Sequence, residues 1–122
     1  YACRGGPGRT PQELACDFYA GPAAAALRPD RANFKESGLG RPRPVGSYPP
    51  NALGLHDLHG NVFELLDDAD GDNRTLAGGF WDDTADMARA AYRASINRAH
   101  RLNGGGLRVA RVPVPVPEAA AD

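Results

Sequence analysis

Glycine and proline interrupt this chain too often for long regular elements. Fifteen Gly and eleven Pro stand among its 122 residues. Proline fixes its own φ, removes a backbone donor and pushes the residue before it out of the α region. Such a chain is expected to be loop-rich with short strands. Pro44 and Pro49 frame residues 45–48 and predict a short extended piece there. Residues 11–19 read as a short helical or irregular element, because Leu14, Phe18 and Tyr19 fall near helical spacing. Residues 51–58 read as a turn feeding a short helix, 62–66 as a short buried strand or turn, and 75–81 as a strand with a Gly-Gly break. The acidic run 67–73 reads as a solvated loop. It opens like an EF-hand, but Asn73 and Gly79 stand where that loop needs Gly and Glu. Apolar and polar residues alternate over 87–93 and again over 107–112, the signature of strands, the second closing the sheet.

The length suits one domain with a modest core. A formal net charge of -1 gives no field that would favour nucleic acid or an anionic membrane. No apolar run approaches the ~20 residues that cross a bilayer. Cys3 and Cys16 could form one disulfide, and two free thiols are the plainer reading. The compartment stays open between a bacterial cytoplasm and the cell surface.

The densest chemistry lies in Gly54-Leu-His-Asp-Leu-His-Gly-Asn-Val-Phe-Glu-Leu65. Asp57 and Glu64 offer carboxylates seven positions apart, and Gly60 sits where the backbone must bend and expose carbonyls. Calcium takes six to eight such oxygens on a flexible loop. The plainer alternative has Asp57 capping a helix and Glu64 paired. His56 and His59 lack a nearby third ligand for zinc.

Together with Val45-Gly-Ser-Tyr-Pro-Pro-Asn-Ala52 before it and Gly78-Gly-Phe-Trp-Asp-Asp83 after it, this stretch resembles the sulfatase-modifying, or formylglycine-generating enzyme, family. The resemblance implies an α+β, C-type lectin-like fold, with residues 1–112 as the C-terminal part of the domain and 113–122 as a Pro-rich extended tail. It implies the N-terminal half of the same domain as a partner. It also implies one structural calcium, held by Asp57, the backbone oxygens of Gly60 and Val62, and Glu64. A second calcium site, half represented by Asn33 and Phe34, is expected to be lost. Enzymes of this family use two cysteines that bind copper; residues 79–93 contain no Cys. No copper and no catalytic residue are therefore expected, with an oxidase of that family, or a degenerate relative, as the alternative.

Residues 82–105 carry a second resemblance, to the variable region of proteins diversified by retroelements. Its framework is Gly-Gly-x-Trp, Ala-Arg-Ala-Ala-x-Arg, Arg-x-x-Arg and Gly-Leu-Arg-Val. It implies a non-catalytic binding face for a variable protein or other macromolecule. The candidate contacts are Phe80, Asp82, Asp83, Thr84, Tyr92, Ser95, Ile96, Asn97, His100, Leu102, Asn103, Gly104 and Gly105. The plainer reading is a polar loop between two strands. Trp81 is expected in the core, and Arg93, Arg98 and Arg101 are expected to pair with nearby aspartates.

Overall fold

The longest element runs from Phe63-Glu-Leu-Leu66 into the acidic stretch. In the computed structural model, which describes residues 1–113, strand β1 spans Phe63–Asp70 and β2 spans Asn73–Ala77. The two form an antiparallel hairpin, Glu64 facing Ala77 and Leu65 facing Leu76, with a register shift between Leu65 and Ala69. The tip is Gly71-Asp72, a dipeptide suited to a tight turn, and Gly71 takes φ 57. The acidic run expected as a loop is thus largely strand. Its carboxylates point into solvent along a hairpin arm, where their charge costs little.

β2 also pairs antiparallel with β3 (Ala94–Asn97), and β1 pairs parallel with the two-residue β4 (Gly105–Gly106). The sheet order is β3-β2-β1-β4. The strand expected over 87–93 is a 3₁₀ turn at Ala85–Ala88 followed by bends; the strand starts only at Ala94. Small alanines at every second position imitate a period of two without supplying β-branched side chains to pack. Residues 107–112 do not form the closing strand either. Leu107 is 80 % exposed, Val109 81 % and Val112 75 %. The tail lies, beyond Pro113, outside the described residues.

The one α-helix among the described residues, α1 (Pro11–Leu14), starts on a full capping box. Thr10 Oγ1 accepts from Glu13 N, and the Glu13 carboxylate accepts from Thr10 N. Residues 45–48 turn instead of extending, and 51–58 hold no helix. Asn51 explains the latter. Its Oδ1 accepts from the backbone of Leu53 and Leu55, and its Nδ2 donates to Ala2 O, so side-chain bonds replace helical ones. The core is small and aromatic: Phe18, Tyr19, Phe34, Tyr48 and Phe63 are buried with Leu76, Ala88 and Ala90.

Candidate functional site

The Gly54–Leu65 stretch is a structural hub before it is anything else. Gly60 takes φ 75, and a Cβ there would stand 2.2 Å from Asn33 O. The next residue, Asn61, takes φ 67, an αL conformation that Asn tolerates better than most residues. Its buried amide closes a network. Oδ1 accepts from Arg43 N at 2.8 Å and from Asn33 Nδ2 at 3.2 Å, while Nδ2 donates to Arg43 O at 3.1 Å. Asn33 Nδ2 also donates to Arg41 O, and Ser37 Oγ donates to Asn33 Oδ1. Both Asn33 Nδ2 hydrogens are thus committed, and its Oδ1 accepts from Ser37.

His59 is buried and reads three segments at once. Nε2 accepts from Tyr19 N at 2.9 Å, which places the ring proton on Nδ1, donating to Ala88 O at 2.6 Å. Burial pushes its pKa below the ordinary value, opposed by the bond to Ala88. Cys3 Sγ lies 3.5 Å from the same Nε2. Burial pushes the Cys3 thiol up to about 11, and the imidazole lone pair is already engaged, so this contact is no thiolate–imidazolium pair. Both cysteines are free. His56 turns elsewhere, its Nδ1 2.8 Å from Tyr48 O.

Of the four expected calcium ligands, Asp57, Val62 and Glu64 line one cleft of about 130 Å³, together with His56 and Arg108. Gly60 is outside that lining, its N donating to Gly78 O at 2.6 Å. Asp57 takes φ 57 and accepts from Gly46 N through Oδ2 at 2.7 Å. The carboxylates and backbone oxygens are the donors a hard cation takes. The cation that now faces Glu64 is Arg108. Its Nε lies 2.9 and 2.8 Å from the two carboxylate oxygens, and Nη2 lies 2.6 Å from Oε1 and 2.7 Å from His56 O.

The expected binding residues divide into two groups. Ile96, Asn97, His100, Leu102 and Gly105 line one groove of about 480 Å³ over a face of the sheet. Leu65, Arg74, Arg98, Gly106 and Leu107 complete it, none of which the sequence pattern singles out as a contact. The rest stand apart from it. Phe80 packs on Phe63 and Trp81, with centroids 5.4 and 5.5 Å away, and covers Gly104, where a Cβ would come 2.1 Å from its ring. Asp83 is buried; its Oδ2 accepts from Phe80 N, and burial pushes its carboxyl up. Asp82, Thr84, Ser95 and Asn103 are exposed, and Tyr92 is half-buried. Trp81 is half-buried, with Nε1 enclosed and unpartnered among the described residues.

The arginines also depart from expectation. Arg98 does pair with Asp72 at 3.3 Å, but Arg93 donates instead to the carbonyls of Ala90 and Tyr92. The Asn61 hub and the Arg108 fork are the features that sequence reasoning missed. Gly60-Asn61 is a turn dipeptide and could have signalled the first; nothing local signals a partner 44 positions away.

Comparison with known proteins agrees with this geometry. Residues 1–113 match the family described as the sulfatase-modifying factor enzyme 1-like domain. The serine/threonine-protein kinase pkn1 of Chlamydia pneumoniae is 32% identical over 127 residues, covering 81% of this chain and 19% of that protein. The inactive C-alpha-formylglycine-generating enzyme 2 of Bos taurus is 44% identical over 66 residues, 50% of this chain and 22% of that protein. The chain thus spans about a fifth of the length of these relatives. Among solved structures, Treponema denticola variable protein 1 aligns with a TM-score of 0.62 at 22% identity, covering 88% of this chain and 42% of that one. PvdO from Pseudomonas aeruginosa aligns with a TM-score of 0.61 at 24% identity, over 71% and 40% of the two chains. A loop-rich chain with few strands and little helix, built around Gly60-Asn61 and matched over residues 1–113, belongs to the sulfatase-modifying factor enzyme 1-like family.

Proposed function

We propose that this chain is a non-catalytic binding domain that displays a diversified face on a C-type lectin-like scaffold. One observation carries the reading. The groove over the sheet gathers Ile96, Asn97, His100, Leu102 and Gly105, while the hydrogen-bond network that holds the loops together, Asn33–Asn61 and His59, uses none of them. A face tolerates variation when the scaffold behind it carries stability. The likeness to a variable protein of Treponema denticola supports the same reading at the level of fold. The absence of Cys from residues 79–93 and the burial that pushes the Cys3 thiol up to about 11 favour binding over oxidase chemistry. A variable protein or other macromolecule is the proposed ligand. The half of the family fold that this chain does not span is proposed as a second partner.

We also propose one structural calcium on Asp57, the backbone oxygens of Gly60 and Val62, and Glu64. When bound, the ion would tie the turn to the start of β1. Glu64 can serve only where Arg108 releases it.

The test is a pair of libraries. Random substitution at Ile96, Asn97, His100 and Leu102 is expected to leave most variants folded by a cell-surface display assay. The same randomisation at Asn33, His59, Asn61 and Gly60 is expected to leave few. Equal losses from both libraries would remove the display reading.

A further inference from the structure

The opposite face of the sheet holds a cleft that the binding face does not use. It has a volume of about 250 Å³. Its apolar wall comes from Leu55, Leu58, Leu66 and Ala77, and Tyr1 and Cys3 line another side. Arg89, Arg93 and Arg108 also line it, against a single carboxylate among the described residues, Glu64.

Glu64 is consumed by Arg108. The other two guanidiniums are oriented without being neutralised. Arg89 Nε donates to Asp86 O at 2.9 Å. Arg93 Nη1 donates to Ala90 O at 3.0 Å and Tyr92 O at 2.7 Å. A carbonyl fixes a guanidinium in place but carries no net charge, and among the described residues neither arginine has an acidic partner within ion-pair distance. Each keeps N–H groups free for a bidentate acceptor. The charge of Arg93, and less strongly that of Arg4, is felt at Cys3, while Glu64 opposes them. Two uncompensated cations beside an apolar wall define the complement: a carboxylate on an apolar stem.

We propose that this cleft binds a small amphiphilic carboxylate, its head forked by Arg89 and Arg93 and its stem laid on Leu55, Leu58 and Leu66. The chemistry discriminates by charge. An alcohol of the same length fills the wall but leaves the guanidiniums unanswered, and an amine is repelled.

The experiment compares hexanoate, hexanol and hexylammonium on the full chain by amide chemical-shift titration. Hexanoate is expected to move the amides of residues 2–4 and 89–93 and to bind at least about tenfold tighter than hexanol, the scale of one charge-assisted pair. It should also slow labelling of Cys3, but not of Cys16, by N-ethylmaleimide. Arg89→Gln and Arg93→Gln should each weaken hexanoate and leave hexanol unchanged, whereas Arg93→Lys should restore part of the loss. If Arg93→Gln does not fold, Arg89→Gln carries the comparison, since Arg89 bonds only one carbonyl of its own turn. Equal affinity for hexanoate and hexanol, shifts confined to the other face, or no binding would each overturn the proposal. The display reading of the groove around Ile96 is tested separately, by its own libraries.

Discussion

Arg108 forks the carboxylate of Glu64 across 44 positions of sequence, joining the segment after β4 to the start of β1. Glu64 keeps only 17% of its side-chain exposure, so removing Arg108 leaves a largely buried charge unanswered. Arg108→Ala is expected to cost about 1–3 kcal/mol in chemical denaturation. If calcium competes for the same carboxylate, millimolar calcium should raise the Tm of Arg108→Ala more than that of the parent, and EDTA should reverse the gain. Equal shifts in both proteins would remove the competition.

His59 makes stability depend on pH in a defined direction. Its folded pKa lies below the ordinary value of 6.5 because the ring is buried. Between the folded pKa and 6.5 the unfolded chain therefore binds a proton that the folded chain does not. Stability should be fully present above about pH 6.5 and fall as the pH drops toward the folded value. Urea midpoints measured from pH 8 to pH 5 should show this slope. His59→Gln should flatten it, at the expense of about 1–3 kcal/mol for the unmet Tyr19 N or Ala88 O.

Two glycines with positive φ should respond unequally to the same change. Gly60→Ala drives a Cβ into Asn33 O at 2.2 Å, a backbone atom that cannot swing aside. Gly71→Ala meets nothing within 4 Å and carries only the conformational strain of φ 57. The second is expected to cost about 1 kcal/mol and the first several times that, or to abolish folding. Thermal melts of the two variants decide it, and similar Tm losses would count against the close approach.

Asn61 supplies both an unusual φ and a buried side-chain network, and the two contributions are separable. Asn61→Gly keeps the conformation and loses the bonds to Arg43 and Asn33; Asn61→Ala loses both. Asn61→Ala should be the less stable by about 1 kcal/mol in urea denaturation. Equal stability would mean that the φ of 67 carries no strain.

Much of the fold was legible wherever a residue type has a single local use. Gly and Pro forecast the scarcity of helix, but the strand expected over 75–81 runs from Asn73 to Ala77 and stops at Gly78-Gly79 instead of continuing to Trp81. Two strands were misread because period two is also what alternating alanine and arginine produce around a 3₁₀ turn, and what an exposed Leu-Arg-Val-Ala-Arg-Val segment produces with no partner strand. The proposed binding face was legible only in part. Ile96, Asn97, His100 and Leu102 follow one another along the chain and meet in one groove, whereas Leu65 and Arg74 reach it through strand pairing, which spacing alone does not encode. Gly104 and Phe80 both stand among the candidate contacts, yet each occupies the space the other leaves.

The Asn33–Asn61 pair works like a buckle. Both ends of the span from Phe34 to Arg43 are fastened to it, Ser37 and Arg41 on one amide and Arg43 on the other, while Leu39 and Gly40 between them are exposed. Lengthening the free part adds only a closure entropy that grows with the logarithm of its length. Evolution could therefore graft new sequence at that tip, or trim it, without renegotiating the rest of the molecule.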